Sequence, residues 1–112
     1  ISALLLISAV CLVQAQPNKK NSSSTKEISF TVHGDCIMCK KRIESAAMSV
    51  FGVKSAVWDK EYQMIVVNFD PQRTKPEKIH EAIAAAGHDT EKQKAPDKVY
   101  KKLPDCCHYR KK

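Results

Sequence analysis

The sequence is poor in aromatic residues and in long apolar runs. Only 6% of its 112 residues are aromatic, and just one is Trp. None is interleaved with basic residues along a strand-like segment, which removes the stacking platform that sheets binding single-stranded nucleic acid use. The longest apolar run, residues 1–13, falls short of the roughly 20 residues that a bilayer span takes. The chain is also too short for a TIM barrel, which needs about 200 residues or more, and it has no internal repeat. Disorder throughout is excluded as well, because apolar residues recur in periodic blocks after residue 27. What remains is one small domain with extensions at both ends.

The net charge of +7 lies on those extensions. Residues 27–95 carry ten basic and ten acidic side chains. The excess comes from Lys19, Lys20 and Lys26 before that segment and from the basic residues of 96–112 after it. A neutral core with charged flanks reads as solvated tails and not as a polyanion site.

Residues 1–15 resemble the apolar core and cleavage site of a signal peptide, with Val13 and Ala15 at the −3 and −1 positions if cleavage precedes Gln16. No charged segment and no initiator Met stand before the run, so the sequence is expected to lack its first residues. Cys11 belongs to the part removed. The expectation is export to a periplasm or the exterior, with no membrane insertion after cleavage. Residues 16–26, rich in Asn, Ser and Lys, read as a flexible linker. Four cysteines remain: Cys36, Cys39, Cys106 and Cys107. An exported compartment favours disulfides, so oxidation competes with any metal role.

Within residues 27–95, Ile28, Phe30 and Val32 alternate with polar residues, the pattern of a half-buried strand. Gly34-Asp35 ends it, with Asp35 expected as a turn or N-cap residue. Ile43, Ala46, Ala47 and Val50 then fall at helical spacing, and Gly52 stops the helix. Val53–Asp59 and Met64–Phe69 read as a hairpin joined by Lys60–Gln63. Thr74 and Glu77 suggest a capping box around Pro76. Ile79, Ala82, Ile83 and Ala86 form the next apolar stripe, and Gly87 suits the position after a helix. His33 and His80 read as solvent-facing, and Trp58 as packed on the sheet. A weaker extended segment, 88–95, precedes Pro96, and 96–112 reads as an appendage with a short helix near Asp97–Lys102. The order is βαββαβ, so the expected fold is α+β and ferredoxin-like: a four-stranded antiparallel sheet with both helices on one face.

The chemistry centres on Asp35-Cys36-Ile37-Met38-Cys39, a C-x2-C pair where a strand meets a helix N-terminus. Unpaired amides and the helix dipole stabilise thiolate there. Thiolate binds soft metals, and two sulfurs at this spacing can grip one ion. Cu(I) accepts such low coordination, whereas structural Zn(II) takes four protein ligands.

These residues resemble the heavy-metal-associated domain family, which includes copper chaperones, N-terminal modules of metal-pumping P-type ATPases and exported mercury-scavenging proteins. The resemblance covers about residues 27–95. It rests on Cys36-Ile37-Met38-Cys39 after the first strand, Gly52-Val53 before the second, Val67-Asn68-Phe69-Asp70, and Gly87. It implies that Cys36 and Cys39 bind the metal and that Cu(I) passes to a similar domain or a metal-transporting protein by ligand exchange, without catalysis and without nucleic acid. Hg(II), Zn(II) and Cd(II) also tolerate thiolate pairs. The family usually has Gly-Met-Thr before its first cysteine, with the Met packed beneath the loop. Here the stretch is His33-Gly34-Asp35, so the loop is expected to be looser unless Ile37 or Met38 fills the gap, Met38 being the better fit.

His88 stands where the family often has an aromatic residue near the metal loop. It is either a third ligand or an exposed turn histidine. The tail segment Asp105-Cys106-Cys107-His108 offers three further candidate ligands: Cys106, Cys107 and His108. It either folds back over Cys36 and Cys39 to enclose the ion or supplies disulfide partners. Two other classes compete with a monomeric metal carrier: a thiol–disulfide oxidoreductase, and a structural module built on an inert disulfide or a closed zinc site.

Overall fold

Alternation and helical periodicity produce the elements the sequence implies. Strand β1, Lys26–Thr31, turns Phe30 inward and half-buries Ile28 while Ser29 stays exposed. Helix α1, Ile37–Met48, buries Cys39, Ile43 and Ala47, each four residues from the next and so on one face. Strands β2, Val53–Asp59, and β3, Met64–Phe69, form the hairpin, with Gln63 in its turn at a φ of 55°. Helix α2, Pro76–Ala85, buries Ile79, His80, Ile83 and Ala84. It ends in a Schellman arrangement in which Gly87 N–H donates to Ala84 O and His88 N–H to Ile83 O, made accessible by the φ of +111° at Gly87. Helix α3, Asp97–Lys101, and two 3-10 turns, Asp105–Cys107 and Tyr109–Lys111, follow.

The structure is a computed structural model and describes residues 25–111. The expected signal segment and the linker up to residue 24 therefore lie outside the described residues. Among the described residues, no helix is long and apolar enough to cross a membrane. β3 lies between β1 and β2, antiparallel to both, with Phe30 opposite Ile65 and Trp58 also opposite Ile65. One sheet face carries Phe30, Trp58, Ile65, Val67 and Phe69 against Ile43 of α1 and Ile79 and Ile83 of α2. Each such side chain, fully buried, contributes about 1.5–3 kcal/mol relative to exposure. The architecture is the expected α+β ferredoxin-like one.

Four local expectations are corrected. The fourth strand shrinks to a single bridge, Val32 with Thr90. After that bridge Thr90 Oγ1 accepts from the N–H groups of Lys92 and Gln93, and these side-chain bonds turn the chain away from the sheet. The N-cap of α2 is Lys75, with no side-chain cap bond, so no Thr74–Glu77 capping box forms. Thr74 N–H is used by Asp70 O in the turn leaving β3, and the residue before Pro76 is held extended. His80 is buried, not solvent-facing: it stacks on Phe30 at 3.8 Å and pairs with Thr90 Oγ1 at 2.6 Å. Burial, aided by Lys92, pushes its pKa down. Finally, segment 96–111 is no loose appendage, because Tyr100, Leu103 and Cys107 join the core.

Candidate metal centre

The loop from β1 to α1 delivers the C-x2-C pair. Cys36 is the N-cap residue of α1, extended at φ −144°, and makes no side-chain cap bond; Asp35 precedes the cap rather than forming it. Cys39, one turn on, points into the core and is fully buried. Its Sγ accepts a hydrogen bond from Asp35 N–H at 3.2 Å and lies 3.5 Å from Cys36 Sγ.

Beneath the loop the gap left by Gly34 is filled by Trp58, not by Met38 or Ile37. A Cβ on Gly34 would sit 3.0 Å from two ring atoms of Trp58 and 3.0 Å from Cys39 Cβ. Trp58 Nε1 donates to Val32 O at 2.9 Å, which orients the ring there. Ile37 and Met38 instead stand outward, 69% and 47% exposed.

The tail folds over the loop. Cys106 Sγ comes 2.7 Å from Cys36 Sγ, and Cys107 Sγ comes 3.4 Å from it. Cys36, Cys106 and Cys107 all lie within 4.8 Å of one another, and all four described cysteines are free thiols. Met38 Sδ stands at the rim, 3.9 Å from Cys106 Sγ. Burial opposes ionisation of Cys36. Hydrogen bonds from the Cys106 thiol, Cys39 N–H, and the Cys107 and Cys39 thiols outweigh it and bring its pKa down to about 7. Bonding to Cys36 raises Cys106, and burial with bonding to Cys39 and Cys36 raises Cys107. Cys36 is therefore poised as thiolate beside the neutral thiols of Cys106 and Cys107.

His88 and His108 stand outside this sulfur group. His88 is buried, so it is not an exposed turn histidine. Its Nδ1 meets His33 O at 2.8 Å, its ring stacks on Tyr109 at 5.4 Å, and its Nε2 is buried without a partner. Burial lowers its pKa, with the Arg42 charge adding to the effect. His108 packs on Tyr100 at 5.1 Å, its Nε2 likewise unpaired. His33 is exposed, as its sequence position implies.

A profile describing the heavy-metal-associated domain matches residues 29–89. The chain belongs to the heavy-metal-associated domain family. Among solved structures it is similar to the CopZ metallochaperone, at 29% identity and a TM-score of 0.56, over 58% of this chain and 98% of that one. It is also similar to a copper binding domain from HMA7, a P-type ATPase, at 36% identity and a TM-score of 0.56, over 58% and 89%. Oxidized MerP from Ralstonia metallidurans CH34 resembles it at 29% identity and a TM-score of 0.57, over 60% and 94%. No curated protein matches the chain significantly. The heavy-metal-associated segment ends at residue 89, so Cys106 and Cys107 come from outside it.

Two residues that sequence reasoning passed over seat the tail on this domain. Tyr109 Oη donates to Gly87 O at 2.7 Å and accepts from Asp89 N–H at 2.9 Å. Burial raises its pKa to about 12. The Arg110 guanidinium bonds Asp89 at 2.8 and 3.1 Å, Ala95 O at 2.8 Å and Asp97 at 2.9 Å, and lies over the Tyr100 ring. Asp97 is 81% exposed and contributes little; Asp89, at 15%, carries the ion pair. No sequence spacing links residues 89 and 110, so only the fold reveals the pair.

Asp89 makes the clasp acid-sensitive. Burial pushes its carboxyl up, but the bonds from Arg110 and Ala95 N–H more than reverse this and hold it below the ordinary value. The folded protein thus binds that proton less tightly than the unfolded chain does. The stabilisation is complete above the ordinary carboxylate value of about 4 and is lost as pH falls through the lowered folded value. Acid titration followed by amide exchange in residues 96–111 is expected to show the tail loosening below about pH 4. Asp89→Asn flattens that dependence and lowers neutral-pH stability by about 1–3 kcal/mol.

Proposed function

We propose that this protein is a soft-metal carrier that holds one Cu(I) ion on Cys36 and Cys39 and passes it to a metal-transporting protein or a similar domain by ligand exchange. The observation that carries the reading is the Cys36–Cys39 pair, 3.5 Å between sulfurs at the opening turn of α1, with Cys36 poised to ionise near neutral pH. A half-exposed Cys36 beside a buried Cys39 lets an incoming thiolate reach the ion from one side while the other sulfur still holds it. Metal–sulfur bonds are exchanged one at a time and nothing is chemically turned over. The similarity to a metallochaperone and to a copper binding domain of a P-type ATPase supports this reading. Export belongs to the same proposal and rests on the signal-like run of residues 1–15.

The test is anaerobic titration of the reduced chain with Cu(I) against a chromogenic Cu(I) chelator. One ion per chain, bound at sub-micromolar level and surrendered to a thiol-bearing acceptor domain, is the expected result. Absence of such binding overturns the proposal. Reduction of insulin disulfides by the protein would favour the oxidoreductase reading instead.

A closed zinc site has one observation in its favour, the approach of the tail thiols to the pair. Structural zinc takes four such ligands and keeps them. If Zn(II) bound to the chain resists displacement by Cu(I), that reading replaces the carrier.

A further inference from the structure

We propose that Cys106 and Cys107 are metal ligands and that the segment bearing them is a latch: in the closed form Cys36, Cys106 and Cys107 enclose a soft ion, Cys39 standing aside, and the ion is left on the open Cys36–Cys39 pair, from which it departs, only when the latch lifts. The inference rests on the soft-metal carrier reading and adds to it a second ligand source and control over release.

The sulfur positions support it. Three sulfurs each about 2.3 Å from one ion stand about 4 Å apart. The edges of the Cys36–Cys106–Cys107 triangle are 2.7, 3.4 and 4.0 Å. Only the Cys36–Cys106 edge has far to widen, and Cys106 is exposed and able to swing outward. A binding ion displaces the S–H protons of the tail thiols: two S–H bonds break, two metal–sulfur bonds form, two protons leave to water, and no electron changes hands.

The tail is held on both sides of those cysteines. Before them, Leu103 is buried against Gly87, close enough that a Cβ on Gly87 would lie 2.8 Å from its Cδ2. Between the anchors, Cys107 N–H bonds Pro104 O at 2.8 Å and His108 N–H bonds Asp105 O at 3.1 Å, shaping the turn that presents both sulfurs. After them come Tyr109 on Gly87 and Asp89, and Arg110 on Asp89 and Ala95. The latch thus closes on the segment that follows α2, and the sulfurs are carried to the loop that precedes α1. A two-thiolate site leaves the ion open to an acceptor. Three thiolates fill the coordination that ligand exchange would use, so the closed form stores the ion and the open form delivers it.

The experiment uses the full chain, reduced and anaerobic, loaded with one equivalent of Cu(I). X-ray absorption is expected to count three sulfur neighbours in the native chain and two in Cys106→Ser/Cys107→Ser. Cys106→Ser, at an exposed position that leaves the core intact, is expected to weaken Cu(I) binding at least about tenfold and to speed release to a chelator by a similar factor. Arg110→Ala removes no sulfur, so faster release from this variant isolates the latch from the ligands. If the double variant fails to fold, Cys106→Ser and Arg110→Ala still decide the matter. Two sulfur neighbours in the native chain, or equal affinity and release rate in native, Cys106→Ser and Arg110→Ala chains, overturn the latch while leaving the carrier standing. A native chain that binds no Cu(I) overturns both.

Discussion

Serine at both Cys36 and Cys39 is expected to lower Cu(I) affinity by at least about a thousandfold, about 4 kcal/mol, with the fold retained. A hydroxyl is a hard donor that stays protonated at neutral pH, so it cannot replace a soft thiolate on Cu(I). The fold should tolerate the change. Cys36 is only half-buried, and a hydroxyl at position 39 would find Asp35 N–H, which donates to the present sulfur at 3.2 Å. Of the single variants, Cys36→Ser should cost more than Cys39→Ser. Cys36 is the sulfur that all the others surround, at 3.5 Å from Cys39, 2.7 Å from Cys106 and 3.4 Å from Cys107. Competition titration with a Cu(I) chelator measures all three variants, and circular dichroism checks their folding. Native affinity in the double variant would place the binding site elsewhere in the chain.

Trp58→Ala is expected to be the most destabilising single change at the loop, at about 3–5 kcal/mol. The ring is 1% exposed and fills the volume under Gly34, and its removal also leaves Val32 O without the indole donor. For a folded unit of this size the melting temperature should fall by about 12 °C or more. The loss has a specific remedy. Gly34→Met alone overpacks the site against Trp58 and should cost about 1–3 kcal/mol. In the Trp58→Ala background the flexible Met side chain can occupy the vacated space, so the double variant should be more stable than the sum of single losses implies. Urea unfolding of the four chains gives the coupling. Strict additivity would mean that the two positions do not share one cavity.

The fold was legible wherever the apolar pattern was regular. β2 and β3 run over Val53–Asp59 and Met64–Phe69, as the alternation and the polar Lys60–Gln63 connection imply. The stripe Ile43–Ala47 marks the inner face of α1, and Gly87 ends α2 through its positive φ. The fourth strand was not legible in its true form. Residues 88–95 have extended character, but Thr90 and Asp89 spend their hydrogen bonds on local turns and on the tail. His80 deceived for a related reason. A polar residue on a helix reads as exposed until a partner, here Thr90 Oγ1, lets it be buried at little cost.

At the metal centre, Cys36 and Cys39 stood out because a C-x2-C spacing at a helix start has direct chemical meaning. The sequence by itself determined the secondary-structure order, the inward faces and the position of that pair, since each follows from interactions between residues near one another in the chain. Only the tertiary structure decided that Trp58 fills the space beneath the loop and that Cys106 reaches Cys36 across 70 positions. It also decided that an Asp89–Arg110 ion pair seats the tail. Such contacts depend on how separate elements pack. No local periodicity encodes them, because the energy that selects them arises only once the surfaces have been brought together.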